Sequence, residues 1–378
     1  MTLPLAGLTV LDFTTLLPGP LATLMLAEAG AQVIKIERPG GEEMRVARAH
    51  RQNSNAFAML NAGKRSIELD LKSDAGRARV KALIVRADVL VEQFRPGVMD
   101  RLGLGYEAVR AINPRLVYCS ISGYGQKGPR AGEAGHDLNY LGATGLLALA
   151  PGPPEAPTVP PALIADIAGG SMPAVINILL ALRRRDATGA GCHLDIAMAD
   201  AMFTFAGHAL ARSDGRIPGP GEAGLCGGSP RYQLYPTRDG KLLACAALEQ
   251  KFWLAFTAAI GLPKALVDDA SDPEATKRAV ARIVRGHSAA HWRPILAAAD
   301  CCATIVASLD EALADPHFVA RGLFAHRIET DLGVLVPALP LPLAPELRRP
   351  PDAVTRLAPL GADGALLESD VQGEGPTP

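Results

Sequence analysis

The sequence predicts an α/β fold: a large Rossmann-like open-sheet domain followed by a smaller α+β domain. Three observations carry this. The first forty residues alternate strand, loop, helix and strand. Further short apolar runs recur between helix-like segments, and a Gly/Pro-rich stretch separates all of this from a hairpin pattern.

In order along the chain, Leu8 to Phe13 reads as a strand and Pro18-Gly19-Pro20 as a turn. An Ala/Leu/Met helix runs to Ala29, Gly30 stops it, and Gln32 to Glu37 is the next strand. That is one βαβ unit. Val89 to Glu92 and Leu116 to Ser120 add strands to an open, mostly parallel sheet, whose sites belong at strand C-terminal ends. Helical patterning follows at Gly169 to Arg185 and Asp195 to Arg212. Ser213 to Arg231 is rich in Gly and Pro and reads as a linker. Tyr232 to Ala247 alternates around Arg238-Asp239-Gly240, a hairpin signal, and helix-like segments continue to Ala314. Proline-rich Val336 to Pro351 reads as an extended connection. The expected division is residues 1–200 for the large domain, 201–231 for the linker and 232–325 for the small domain. Residues 326–365 form a return segment to the large domain, and residues 366–378 a polar tail without enough apolar surface to order.

Composition narrows the function. At 378 residues the chain is long enough for two cores. Lys plus Arg (38) nearly balance Asp plus Glu (39), so no overall charge draws the chain to nucleic acid or a membrane surface. No stretch reads as the roughly 20 apolar residues that span a bilayer, and the start lacks a charged secretory region, so a cytoplasmic protein is expected. Cys119, Cys192, Cys226, Cys245, Cys301 and Cys302 form no C-x-x-C pair, which predicts reduced core thiols rather than a zinc or disulfide framework. His287 and His291 stand four apart without the glutamate of HExxH, so no metal site is expected.

Five groups of residues offer chemistry. The loop Thr14 to Pro20 stands where a dinucleotide fold carries G-x-G-x-x-G, but has one glycine between two prolines, so close pyrophosphate approach is unsupported. Glu37 is placed for a ribose hydroxyl and Arg38 for a phosphate. Arg38, Lys64, Arg65, Arg95 and Arg101 form a basic set able to hold a phosphorylated nucleotide such as that of coenzyme A, or else a solvated face. His136, in Gly135-His136-Asp137, is either a base beside an anion hole at a helix start or incidental to a capping Asp137. Asp166, before Gly169-Gly170, and Glu249, before a helix, read as caps on pattern alone.

Together these segments resemble the family III (CaiB/BaiF) coenzyme A transferases, and within them the α-methylacyl-CoA racemase branch. The likeness runs through LAGLTVLDFTTLLPGPLATLMLAEAGAQVIKIERPG, GKRSIELDLKSDAG, ADVLVEQFRPGVMDRLGLGYE, ISGYGQKGPR, AGHDLNYLG, ADIAGG and GGSPRYQLYPTRDGKLLACAALEQKFW. The resemblance implies an interlocked-ring homodimer that takes a coenzyme A thioester as substrate with no further cofactor. It implies that His136 and Asp166 are the acid/base pair and that Glu249 orients the histidine. Tyr232 would lie near the substrate, and the Asp137 N–H would help hold the thioester oxygen. Racemisation at the α-carbon needs two such groups on opposite faces and donors for an enolate oxygen.

In the transferase branch the residue matching Asp166 is a nucleophile, and that activity is the first alternative. The GHD histidine favours the racemase, as does Gly227-Gly228-Ser229-Pro230 where transferases carry a glycine run. A non-catalytic acyl-CoA-binding paralogue is the second alternative, opposed by the presence of His136, Asp166 and Glu249. The chain departs from racemases at TTLLPGP, at Ala162 where they often carry Asn, and at Ala303-Thr304-Ile305-Val306, which lacks their proline.

Overall fold

A computed structural model of the chain describes residues 2–46, 51–150, 152–153, 155–211, 215–351 and 354–367. It divides into two compact units. One comprises Met1–Leu141, Ala162–Met202 and His317–Pro378, the other Gly142–Pro161 and Phe203–Pro316.

The first unit is built on six parallel strands: β1 (Thr9–Phe13), β2 (Gln32–Glu37), β3 (Arg65–Glu68), β4 (Val89–Glu92), β5 (Val117–Ser122) and β6 (Cys192–Ala197). Their order is β3-β2-β1-β4-β5-β6. The order reverses between β1 and β4, so the loops leaving these two strands part and open a crevice at their C-terminal ends. Leu11, Ile34, Ile67, Leu90 and Tyr118 from five of the strands form one buried cluster with Val80, Leu83 and Ile84 of the Asp74–Arg86 helix.

The Pro18–Glu28 helix is buried along all 11 residues, as suits a segment with almost no polar face. Its entry is tight. A Cβ on Gly19 would lie 2.3 Å from the Thr14 side chain, so only glycine fits the turn. Three short strands, β10 (Arg327–Glu329), β11 (Leu335–Pro337) and β12 (Thr355–Arg356), form a second sheet in this unit. The proline-rich segment around them is tied down where Arg348 reaches the buried Glu28 at 3.1 Å.

In the second unit β7 (Tyr232–Pro236) and β8 (Leu242–Ala246) form the expected hairpin, and β9 (Ala303–Ile305) pairs antiparallel with β8. Tyr235, Leu243, Trp253, Phe256, Val280 and Trp292 make its core.

Several expectations are amended. Arg65–Glu68 and Cys192–Ala197 are strands; Asp195 to Ala197 of the latter were read as the start of a helix. Residues 142–161 cluster with the second unit, and 317–325 with the first. The linker region 215–231 holds a 3-10 turn, Gly224–Cys226. Of the expected tail, 366–367 end a 3-10 turn and 368–378 lie outside the described residues. The helical stretch Ala165–Thr188, with a mean hydropathy of 1.6, is long and apolar enough to cross a membrane by length and composition, contrary to the reading from sequence. In this chain Ala174, Ile178, Ala181 and Leu182 of that helix are buried, and its Arg185 pairs with Asp88 at 2.9 Å. All six cysteines are free; Cys302 is exposed rather than in a core.

Beneath the crevice lies a buried polar knot. Asp12, fully buried on β1, accepts hydrogen bonds from the Thr14 amide and hydroxyl, the Thr23 hydroxyl and the Lys64 ammonium. Lys64 also donates to Pro20 O, Thr23 Oγ1 and Asn61 Oδ1, all within 2.9 Å. Burial works against the Asp12 charge, but Lys64, Lys35 and the two hydroxyls outweigh it and hold the carboxyl well below the usual range. Burial likewise pushes Lys64 down to about 8, with Asp12 opposing. Removing one partner of such a pair strands the other charge in the interior. Lys64→Ala is therefore expected to lower the free energy of unfolding by about 3–5 kcal/mol, measured by urea denaturation at neutral pH.

Candidate active site

Two cavities open at the crevice and share a wall. One, of about 520 Å³, is lined by Gln93, Phe94 and Arg95 after β4, by Ser122 at the end of β5, by Gly123, Gly135 and His136 after it, and by Asp166. The other, of about 500 Å³, is lined by Lys35 to Pro39 after β2 and by Leu69 to Lys72 after β3. Thr15, Leu16 and Phe94 line both. Leu16 has φ +62, a left-handed conformation costly for a leucine, and it stands at the junction of the cavities.

His136 and Asp166 meet in the first cavity. His136 directly precedes the Asp137–Ala143 helix; its amide donates to Asn139 Oδ1 at 3.0 Å, and its imidazole is exposed. Asp166 lies in the first turn of the π-helical segment Ala165–Ser171, which runs into the Met172–Thr188 helix. It is not the cap that its position suggested. The cap comes from Asp137, whose buried carboxylate accepts the Asp166 amide at 3.0 Å and so ties the two helix starts together. Gly169 permits the close approach behind Asp166, since a Cβ there would meet Met198 O at 2.7 Å. The Asp137 N–H has no acceptor among the described residues and is free to serve a ligand oxygen.

Burial pushes the Asp166 carboxyl up to about 6; Asp137 adds to the rise and His136 opposes it. A carboxyl raised toward neutrality can hold or release a proton near pH 7. Tyr140 closes the back of the site, its hydroxyl donating to Gly135 O at 2.6 Å. Neither the Asp137 side chain nor Tyr140 was singled out in these roles from sequence. Both depend on contacts across folded loops that no local pattern displays.

The basic set separates. Arg38 is exposed beside the second cavity with its Nε on Gly41 O, and Arg95 is exposed beside the first. Arg101 is exposed after β4. Arg65 is exposed and bonded to Asp363 at 2.9 Å. Lys64 must be withdrawn from the ligand-binding set: it is 4% exposed and all its donors are taken by the knot around Asp12. Glu37 is likewise committed, to the Nε and Nη2 of Arg45 and to Ser66, and cannot serve a ribose. In the second unit Glu249 stands at the N-cap position of the Gln250–Ile260 helix without making a side-chain cap bond, and Tyr232 is 38% exposed. His287 and His291 stack at 4.0 Å, and among the described residues no cluster of three potential ligands is placed to hold a metal.

An open parallel sheet with its site at the switch point, and an imidazole and a raised carboxyl in one cavity, define an α/β fold of the kind that processes small substrates. The profile of CoA-transferase family III matches residues 5–364. The chain therefore belongs to CoA-transferase family III, a family of enzymes. It is 34% identical to "Alpha-methylacyl-CoA racemase" of Homo sapiens, over 92% of this chain and 90% of that one. It is 33% identical to "Acetyl-CoA:oxalate CoA-transferase" of Acetobacter aceti, over 90% and 89%. The crystal structure of a CaiB/BaiF family protein from Brucella suis superposes with a TM-score of 0.78 at 29% identity, covering 98% of this chain and all of that one.

Asp137→Asn keeps an oxygen for the Asp166 amide but removes the neighbouring charge. The Asp166 titration is then expected to move down from about 6 without reaching the ordinary aspartate range, because burial remains. Carboxyl 13C shifts of labelled aspartate, followed with pH, measure it.

Proposed function

We propose that this chain is an acyl-CoA racemase that interconverts 2-methylacyl-CoA epimers by removing the α-proton on one face and returning one on the other. The observation that carries the reading is the presence of both His136 and Asp166 on the wall of one cavity, at opposite ends of a hydrogen-bonded helix junction. In one direction the imidazole takes the α-proton, the C–H electron pair becomes the enolate, and protonated Asp166 delivers its proton to the opposite face. The reverse direction exchanges their roles. The enolate oxygen would receive the Asp137 N–H, a donor preorganised at a helix start. The reading uses no metal or nicotinamide. Coenzyme A would extend into the second cavity, with Arg38 and Arg101, and Arg65 beyond, available to its phosphates and Arg95 beside the thioester cavity. Glu249, Tyr232, homodimeric assembly and a cytoplasmic location belong to the same reading.

CoA transfer is the second reading, supported by the transferase relatives at nearly the same identity. There the Asp166 carboxylate attacks the thioester carbonyl, forming a mixed anhydride and releasing CoA thiolate. Burial that raises the carboxyl does not favour the ionised nucleophile, whereas it suits a proton carrier.

Incubation with a 2-methylacyl-CoA in heavy water is expected to introduce one deuterium at the α-carbon, read by mass spectrometry. His136→Ala should slow this by about 10²–10⁴-fold. No exchange over several acyl chains, together with hydroxylamine-trapped modification of Asp166, would establish the transferase instead.

A further inference from the structure

A row of polar side chains outside the acid/base site reaches the shared wall of the two cavities. We propose that Glu92, Ser120 and His193 form a proton-responsive positioning relay that holds Phe94, one of the three residues that line both cavities. The register of the sheet builds it: Glu92 on β4 pairs with Ser120 on β5, and Tyr118, two residues before Ser120, pairs with His193 on β6. All three side chains therefore stand on one face.

Two hydrogen bonds flank one cross-strand pair. The Phe94 amide donates to Glu92 Oε2 at 2.8 Å. Ser120 stands directly opposite Glu92 on the neighbouring strand, where its hydroxyl favours the ionised carboxyl, and it meets His193 Nε2 at 2.9 Å. Glu92 and Ser120 are buried, at 4% and 1% exposure, while the imidazole reaches solvent. His193 is held flat against Tyr106 at 5.1 Å and edge-on to Tyr118 at 5.3 Å, so its nitrogen is aimed by packing. A hydroxyl between a carboxyl and an imidazole can reverse direction. With Glu92 ionised, His193 N–H donates to Ser120, and Ser120 O–H donates to Glu92. With Glu92 protonated, both bonds turn round, and the Phe94 amide loses a charged acceptor.

The surroundings favour titration near neutrality. Burial raises Glu92 to about 7, Ser120 and the Phe94 amide oppose this, and Asp100 and Asp195 add to it. Burial lowers His193; Asp195, Asp100 and Glu107 oppose this, and Lys127 reinforces it. Tyr118 and Cys119, the remaining titratable neighbours on β5, are both driven further toward their neutral forms. Glu92 is therefore the group that changes charge, and the Phe94 contact strengthens as pH rises through about 7.

Amide hydrogen exchange of the intact protein between pH 6 and 8 tests this, with fragments resolving Phe94 and rates corrected for intrinsic pH dependence. Protection of Phe94 is expected to rise about five-fold across that range, since a bond to a charged acceptor is roughly twice as strong as a neutral one. Glu92→Gln should abolish the step, and Ser120→Ala should move its midpoint upward. His193→Leu, an exposed position, should also displace the midpoint, and His193→Gln, which keeps an N–H donor, should restore it. A pH-independent wild type, a step that survives in Glu92→Gln, or a midpoint indifferent to His193→Leu each overturns the proposal. If Glu92→Gln fails to fold, the two His193 variants decide alone. The readout needs no substrate, so its failure is distinct from failure of the racemase reading.

Discussion

The site depends on one buried ion pair. Asp12 lies next to the end of β1 inside the protein, and Lys64, arriving just before β3, neutralises it while also gripping Pro20 O and Thr23 at the start of the buried helix. Burying two charges is costly unless every remaining donor and acceptor is met, and here each is. The consequence is geometric. The segment between β1 and the helix has no freedom at either end, so Thr15 and Leu16 are forced outward, Leu16 into a left-handed conformation, to form the partition between two cavities.

The opposite side of the partition is set by a different strand but by the same physics. Gln93 Oε1 accepts the Gly19 amide at 2.9 Å, which fastens the loop after β4 to the helix start. Next to it, Glu92 holds the Phe94 amide. Both walls are thus backbone segments positioned by hydrogen bonds from polar side chains, beside the apolar packing of Leu17 and Phe94. Such walls are directional, because a hydrogen bond specifies an angle where dispersion does not.

The sheet was legible in the sequence where a strand carries an apolar run. Val10 to Phe13 and Val89 to Val91 declare themselves, and so does the hairpin at Gly240. Arg65–Glu68 and Cys192–Ala197 were missed because polar or charged residues leave no apolar run in either, and their interior residues are seen only once neighbours are assembled. The site was legible in part. His136 and Asp166 line one cavity, but their connection through the Asp137 carboxylate spans 29 residues and leaves no local trace. Lys64 misled for a related reason. A lysine in a run of charges reads as a surface cation, and only the arrival of Asp12, 52 positions away, turns it inward.

The carboxyl of Asp166 also explains why one fold can host two activities. A group half-buried beside another acid has its ionised form disfavoured, yet not so far that either form is rare near neutrality. The ionised form is a nucleophile toward a thioester carbonyl, and the neutral form is a proton donor toward an enolate. What separates the outcomes is the second group. With no base across the cavity, the α-proton stays in place and the carbonyl carbon is the only electrophile Asp166 meets. On the proposed racemase reading, an imidazole at position 136 would make removal of the α-proton compete, and the resulting enolate would no longer be open to attack at its carbonyl carbon. That reading rests the choice between chemistries on one histidine, whose backbone amide donates to the Asn139 side chain.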